Sequence, residues 1–174
     1  MKNFVAGGLL LLLWLTGTAL AAESPTWELG LRGGTDATGA IHSYNVAELY
    51  LLYPLPWQTE VGGGALRSRL DCGIAWLEAV GDSGGWLAVG ADLVYALHTL
   101  PIELEIGFRP VWFPDDHFGR DDFGGPAQFA SHAGIAVSLS PVVVSYRYQH
   151  LSNGGLYDEN SGLDLHLFGI GARF

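Results

Sequence analysis

From residue 26 to the C-terminus, apolar and polar residues alternate in short runs instead of gathering in blocks. Period-two alternation marks strands with one apolar face. Such runs fall at 26–34, 44–53, 66–79, 85–97, 101–113, 128–140, 141–150 and 162–174. Over 85–97, Leu87, Val89, Ala91, Leu93, Tyr95 and Leu97 share one face, while Gly90 and Asp92 lie on the other. Over 101–113, Ile102, Leu104, Ile106 and Phe108 oppose Glu103, Glu105, Gly107 and Arg109. Eight strands is the smallest even number in bacterial single-chain barrels, so the pattern predicts an all-β fold, an eight-stranded antiparallel barrel. Alternation alone leaves its sidedness open. A soluble small barrel fills its interior with apolar side chains, and a transmembrane barrel turns them outward.

The first residues break the alternation. MKNFVAGGLLLLLWLTGTALAAES joins Lys2 to an apolar run from Phe4 to Leu15 and the small-residue site Ala19-Leu20-Ala21. This predicts a signal peptide over 1–21, cleaved after Ala21 or Ala22, and a single barrel domain over 22–174. The run is too short to span a bilayer. Charged residues make up 15% and hydrophobic ones 49%, yet no later stretch approaches the ~18 apolar residues of a membrane helix. An exported chain of this kind fits a barrel of the bacterial outer membrane. A soluble periplasmic sandwich, or a barrel binding lipid inside it, is the competing reading. The tail LDLHLFGIGARF ends in Phe174, with Phe168, Ile170 and Ala172 on the same face. It resembles the C-terminal strand by which outer-membrane proteins are recognised for insertion. With both termini periplasmic, 98–100 and 139–141 become short inner turns, and 35–43, 114–127 and 151–161 longer outer connections. GDSGG at 81–85 is then a short outer loop, and 55–65 a long inner one.

Charge narrows the choice of partner. The formal net charge is −10, and losing Lys2 with the signal makes it −11. The remaining seven arginines (eight basic residues less Lys2) form no basic patch, which argues against nucleic acid. Cys72 is the only cysteine and reads as a small hydrophobe. His42, His98, His117 and His132 show no metal-ligand spacing. PDDHFGRDDFGG at 114–125 lacks the ordered ligands of a calcium loop and reads as a solvated outer loop, bridged to anionic lipid by divalent cations. Trp27, Tyr50, Tyr53, Trp57, Trp86, Trp112 and Tyr148 are expected in interfacial girdles.

One segment, QHLSNGGLYDEN at 149–160, carries more than a turn requires. Asn153, Gly154 and Gly155 supply the turn. In an extended chain His150 and Ser152 share a face with Tyr148, Tyr146, Val144 and Val142. Asp164, His166, Phe168, Ile170, Ala172 and Phe174 share another. A hairpin centred on Tyr157 sets His150 opposite Asp164, with Cβ atoms ~4.5–5.5 Å apart. A base beside a hydroxyl, with an acid orienting the base, is the arrangement of an activated serine. It is not the Gly-x-Ser-x-Gly elbow. A rim histidine and a turn-capping serine would fit the same letters.

The stretch YRYQHLSNGGLYDENSGLDLHLFGIGARF resembles the C-terminal hairpin of the PagL family, outer-membrane lipid A 3-O-deacylases. The family signature is His-x-Ser-Asn-x-Gly with an acid twelve positions after the serine, as here with Asp164. The resemblance implies that Ser152 is the nucleophile, His150 the general base and Asp164 the acid. It implies Asn153 in the oxyanion hole, and Gly155 and Asn160 as loop support. The substrate would be lipid A of lipopolysaccharide at the outer leaflet, losing a 3-hydroxy fatty acid without a cofactor or metal. One departure stands out: the family's usual acid is glutamate, and Asp164 is shorter by ~1.5 Å, about one C–C bond. Glu159 and Asp158 are nearby substitutes in poorer register. Arg147 or divalent ions are expected near the substrate phosphates. His166 is expected to assist binding or to sit as an interfacial residue. The rivals are a non-catalytic barrel and the soluble lipid binder, and the sequence does not set the oligomeric state.

Overall fold

The structure, a computed structural model, describes residues 26–37 and 43–174; the expected signal peptide over 1–21 lies outside the described residues. In chain order the strands are β1 (Glu28–Asp36), β2 (Asn45–Val61), β3 (Gly64–Ala79), β4 (Asp82–Leu97) and β5 (Ile102–Trp112). A miniature hairpin follows, β6 (His117–Phe118) and β7 (Asp121–Asp122), and then β8 (Ala127–Leu139), β9 (Val142–Ser152) and β10 (Leu163–Arg173). The eight long strands close into an antiparallel barrel when β1 pairs with β10.

The barrel's sidedness is now decided. Leu87, Val89, Leu93, Leu104, Ile106 and Phe108 are exposed on the outer wall, while Asp92, Glu103, Glu105 and Arg109 are buried inside. An apolar exterior around a charged interior is a transmembrane barrel and excludes the soluble lipid binder.

Buried charges persist only when paired and hydrogen-bonded, and the lumen meets that condition with an interlocked lattice. Arg109 contacts Glu48 at 2.7 Å, and Arg32 the same carboxylate at 2.9 Å. Arg147 binds Asp71 at 2.7 Å and Glu105 at 2.8 Å. Arg69 joins Asp92 at 2.9 Å and also meets Glu105. Nearer the termini Arg173 bridges Glu28 and Glu103, and Arg67 also reaches Glu103. Glycine makes the space for this lattice: a Cβ on Gly73 would lie 2.2 Å from Glu48 Oε1, and one on Gly107 2.2 Å from Asp92 Oδ1. Arg147, expected near substrate phosphates, is therefore a lumen residue. Its position is one residue out of phase with His150 along β9, and the pleat turns it inward.

Towards the loop end the lumen becomes apolar. Tyr44, Trp86, Phe113, Phe118, Phe123, Leu151, Leu163 and Leu165 form a buried plug. Phe113 stacks on Phe118 at 5.6 Å between ring centroids, and Phe123 meets Phe113 edge to face. Phe118 and Phe123 come from the 114–125 segment, so that loop is half plug and half surface, not simply solvated. Alternating charges hide two phenylalanines that fold back into the barrel mouth. Gly124, at φ 82°, takes a backbone conformation that favours glycine, and a Cβ there would lie 2.1 Å from the Glu159 carbonyl.

Two boundaries differ from expectation. The segment 55–65 is strand: β2 continues to Val61 through a register shift between Pro54 and Gln58, and Gly62-Gly63 makes the turn. Val80-Gly81 is the turn between β3 and β4, whose strands begin pairing at once as Ala79 with Asp82. The aromatic girdle is also thinner than expected. Trp27 and Tyr53 pack edge to face at 5.2 Å, and Trp112 and Tyr148 are exposed. Tyr50 and Trp86, however, are buried inside. Tyr50 donates to Glu28 at 2.9 Å beneath the Arg32 guanidinium.

Candidate active site

β9 and β10 bring the sequence motif together in the expected register. His150 pairs with Asp164 across the two strands, and their side chains meet on the outer wall, Nδ1 to Oδ1 at 2.8 Å. The shorter acid therefore reaches the imidazole. This contact fixes Nδ1 as the protonated nitrogen when the carboxylate is ionised and leaves Nε2 free to take a proton. Ser152 lies two residues further along the same face, ~6.6 Å away along an extended strand. Among the described residues its hydroxyl forms no hydrogen bond. Neither Asp158 nor Glu159 takes the place of Asp164 at the imidazole.

Asn153 marks the point where the strand leaves the wall. Its side chain turns inward and is fully buried. Nδ2 donates to the Phe123 carbonyl at 3.0 Å and to the Glu159 carbonyl at 2.6 Å, while Oδ1 accepts from Gly155 N–H at 2.8 Å. The amide expected in the oxyanion hole thus knits the 114–126 loop to the 153–162 loop. Asn160 supports it, its Oδ1 accepting the Asn153 N–H at 3.2 Å. Gly155, at φ 84°, has open space where a Cβ would be, so its role there is conformational. Ser161 and Asp122 add two more cross-loop bonds, at 2.9 Å each. Among the described residues the Gly154 N–H has no partner, which makes it an available backbone donor beside Ser152.

Sequence reasoning missed one neighbour of His150 and one of Ser152. Ser131 on β8 pairs directly with it, and Phe129 with Ser152. The imidazole thus has Asp164 on one side and a second serine on the other. The tight turn at Ser140-Pro141 holds the signal, because it fixes the β8–β9 register as the Tyr157 centre fixes β9–β10. Tyr148, which strand parity already places on this face, is diagonal to Asp164 in the β9–β10 register. His166 is engaged by the Tyr146 hydroxyl at 2.7 Å.

Two groupings of carboxylates and histidine arise that spacing did not reveal, Asp71/Asp92/His132 and Asp116/His117/Asp122. In the first, Arg147, Arg109 and Arg32 already surround Asp71, and Arg69 holds Asp92. In the second, the imidazole bridges its two carboxylates at 2.6 and 3.1 Å. The Asp116 hydrogen bond, aided by the charge of Asp122, raises the His117 pKa above its ordinary value.

Comparison with known proteins gives consistent matches. The family model described as lipid A 3-O-deacylase (PagL) matches residues 43–173. Lipid A deacylase PagL of Bordetella bronchiseptica is 26% identical over 118 residues, 64% of this chain and 66% of that protein's length. A crystal structure of the outer membrane enzyme PagL superposes with a TM-score of 0.73 at 19% identity, covering 83% of this chain and 98% of the other. The outer membrane protein Ail of Yersinia pestis, in a phospholipid bilayer nanodisc, superposes at 0.54 with 15% identity, covering 86% and 98%. At these identities both structures speak to the shared barrel alone.

Proposed function

The chain belongs to the lipid A 3-O-deacylase (PagL) family, and from that premise we propose that it is a serine esterase of the outer membrane, exported by its N-terminal signal, that removes the 3-O-linked acyl chain of lipid A. The observation that carries the reading is the His150–Asp164 contact at 2.8 Å, on the apolar outer wall beside Ser152. An imidazole–carboxylate pair facing lipid has little structural use there, since apolar neighbours would do better in the bilayer.

The reaction follows from those positions. His150 Nε2 takes the Ser152 proton as Oγ attacks the acyl carbonyl, and Asp164 stabilises the imidazolium that forms. Side-chain rotation of Ser152 is required first, in keeping with the long catalytic contacts of ligand-free sites. The tetrahedral oxyanion is met by backbone N–H groups of the glycine-rich turn, Gly154 foremost. Asn153 contributes by fixing that turn. Collapse expels the sugar 3-oxygen, which leaves with the proton from His150. A water deprotonated by His150 then cleaves the acyl-enzyme and frees a 3-hydroxy fatty acid. No step needs a cofactor. Acyl chains lie along the outer wall, where the substrate already resides.

The test is to express wild type and Ser152→Ala in a bacterium making fully acylated lipid A and to weigh the extracted lipid. The reading expects loss of one 3-hydroxyacyl mass with wild type only. Equal lipid masses would leave a non-catalytic barrel as the better account.

A further inference from the structure

An ester has two halves, and the base settles where one of them goes. The alkoxy oxygen has to sit where His150 can return its proton, so the acyl chain leaves Ser152 on the other side. Towards β10 the wall is polar, with Asp164 on His150 and Tyr146 on His166. Towards β8 it is apolar. Phe129 pairs with Ser152, and Pro110 with Phe129. The flanking pairs Ala88–Val111 and Ala91–Phe108 put Val89 across from Pro110. Ser152, Phe129, Pro110 and Val89 thus form one row across β9, β8, β5 and β4.

That row is a groove, lined by Phe129, Ala127, Pro110, Trp112, Leu87 and Val89. Phe129 stacks on Phe108, with ring centroids 5.5 Å apart at 22°, and makes one wall. Trp112, 56% exposed, makes the other. The exposed ring of Pro110 is the floor between them. The groove begins at the backbone donor of the turn, because a Cβ on Gly154 would lie 3.1 Å from the Phe129 ring. It ends at Leu87 and Val89, which also line the next hollow, over Cys72 and Gly73, and so form the ridge between the two.

We propose that this groove holds the acyl chain being cleaved, with Phe129 at its entrance and the Leu87–Val89 ridge setting the chain length accepted. On a flat wall a chain meets protein on one side only. Between the aromatic walls it meets protein on three, and the added dispersion contacts select it from the surrounding lipid. Ser152 and Val89 stand three strand spacings apart, ~14 Å at ~4.8 Å each. An extended chain built from C–C bonds of ~1.5 Å advances ~1.3 Å per carbon, so about ten to twelve carbons reach the ridge. This rests on the esterase reading, so one arm of the test needs no turnover.

In that arm, detergent-solubilised Ser152→Ala is irradiated with the N-acetylglucosamine 3-O-ester of a ten-carbon 3-hydroxy acid that carries a diazirine at its chain end. Mass spectrometry of the cross-linked peptides should place the label on Leu87–Val89. Label on β9 or β10, or spread evenly over the wall, overturns the assignment, whether or not the protein is an esterase. Turnover is then read on an equimolar mixture of the unlabelled esters of ten and fourteen carbons. Wild type should favour the shorter by about tenfold, the low end of what an ill-fitting methylene costs in an apolar pocket. Val89→Ala lowers the ridge towards Cys72 and should bring that ratio close to one. No preference in wild type, or a ratio that Val89→Ala leaves unchanged, overturns the assignment as well. Wild type inert on both esters, with the label where expected, would sink the esterase reading and leave the groove standing as an acyl-binding site.

Discussion

Asn153 ends β9 by binding Phe123 of another loop, Nδ2 to carbonyl oxygen at 3.0 Å, and through that bond the barrel's plug is tied to the turn beside Ser152. Its other bonds, to the Glu159 carbonyl and from Gly155 N–H, complete a fully used amide. Asn153→Ala should therefore act first on stability, by about 2–3 kcal/mol, the cost of leaving buried carbonyls without donors. The measurement is the midpoint of heat-modifiable gel migration for wild type and variant. An unchanged midpoint with activity abolished would return the Asn153 side chain to the oxyanion hole.

Two serines flank His150, Ser152 along its own strand and Ser131 across from it. Only Ser152 stands beside the turn with an available backbone donor. Ser152→Ala should lower the initial deacylation rate by at least about a thousandfold, and Ser131→Ala by less than about threefold. The opposite ranking would move the nucleophile to β8.

Much of this is legible in the sequence. Alternation located the eight strands, and the Tyr157 centre paired His150 with Asp164, because both depend on the strand's period of two and on one turn. Alternation did not carry sidedness, since Glu, Arg and Gly on one face suit either water or an ion-paired lumen; the C-terminal strand ending in Phe174 and the export signal did. The plug escaped for a different reason: Phe118 and Phe123 are single apolar residues in a charged loop, without periodicity to mark them. The inward turn of Asn153 escaped too, because its partners are backbone carbonyls of segments 6 and 30 residues away. Arg147 could have been placed correctly. The parity that set His150 outward already set it inward.

Asp164 reaches His150 at 2.8 Å without the extra methylene of a glutamate. Asp164→Glu should then crowd a contact already made and lower kcat by about tenfold, as small misplacements of catalytic groups do. Asp164→Asn should lower it by roughly 10³–10⁴, because an amide cannot hold the Nδ1–H tautomer or stabilise the imidazolium. Initial rates on purified lipid A give both numbers. A faster Glu variant would show that the aspartate is a defect.

Arg147 separates a lumen role from a substrate role. It is 1% exposed and touches Asp71 and Glu105. Arg147→Met would take one cation from the buried lattice and leave Asp71 to Arg109 and Arg32, and Glu105 to Arg69, at about 3–5 kcal/mol for a broken buried pair. The barrel's urea midpoint in detergent should fall sharply while KM for lipid A stays constant. A higher KM at unchanged stability would restore the phosphate-contact role.

His117 gives the outer hairpin a pH dependence. Its pKa is raised first by the hydrogen bond it donates to Asp116, and by the charges of Asp116 and Asp122. A raised folded pKa means that the imidazolium's contribution to holding β6 on β7 is complete below the ordinary value of about 6.5. It is lost as pH climbs through the higher folded value. Arg120 sits exposed at the tip of this hairpin, and the chain has no lysine after Lys2. Trypsin cleavage after Arg120, normalised to a peptide substrate at each pH, should accelerate as pH rises above neutrality. In His117→Gln the normalised rate should be fast throughout and nearly flat. A steep pH dependence in the variant would place the switch elsewhere in the loop.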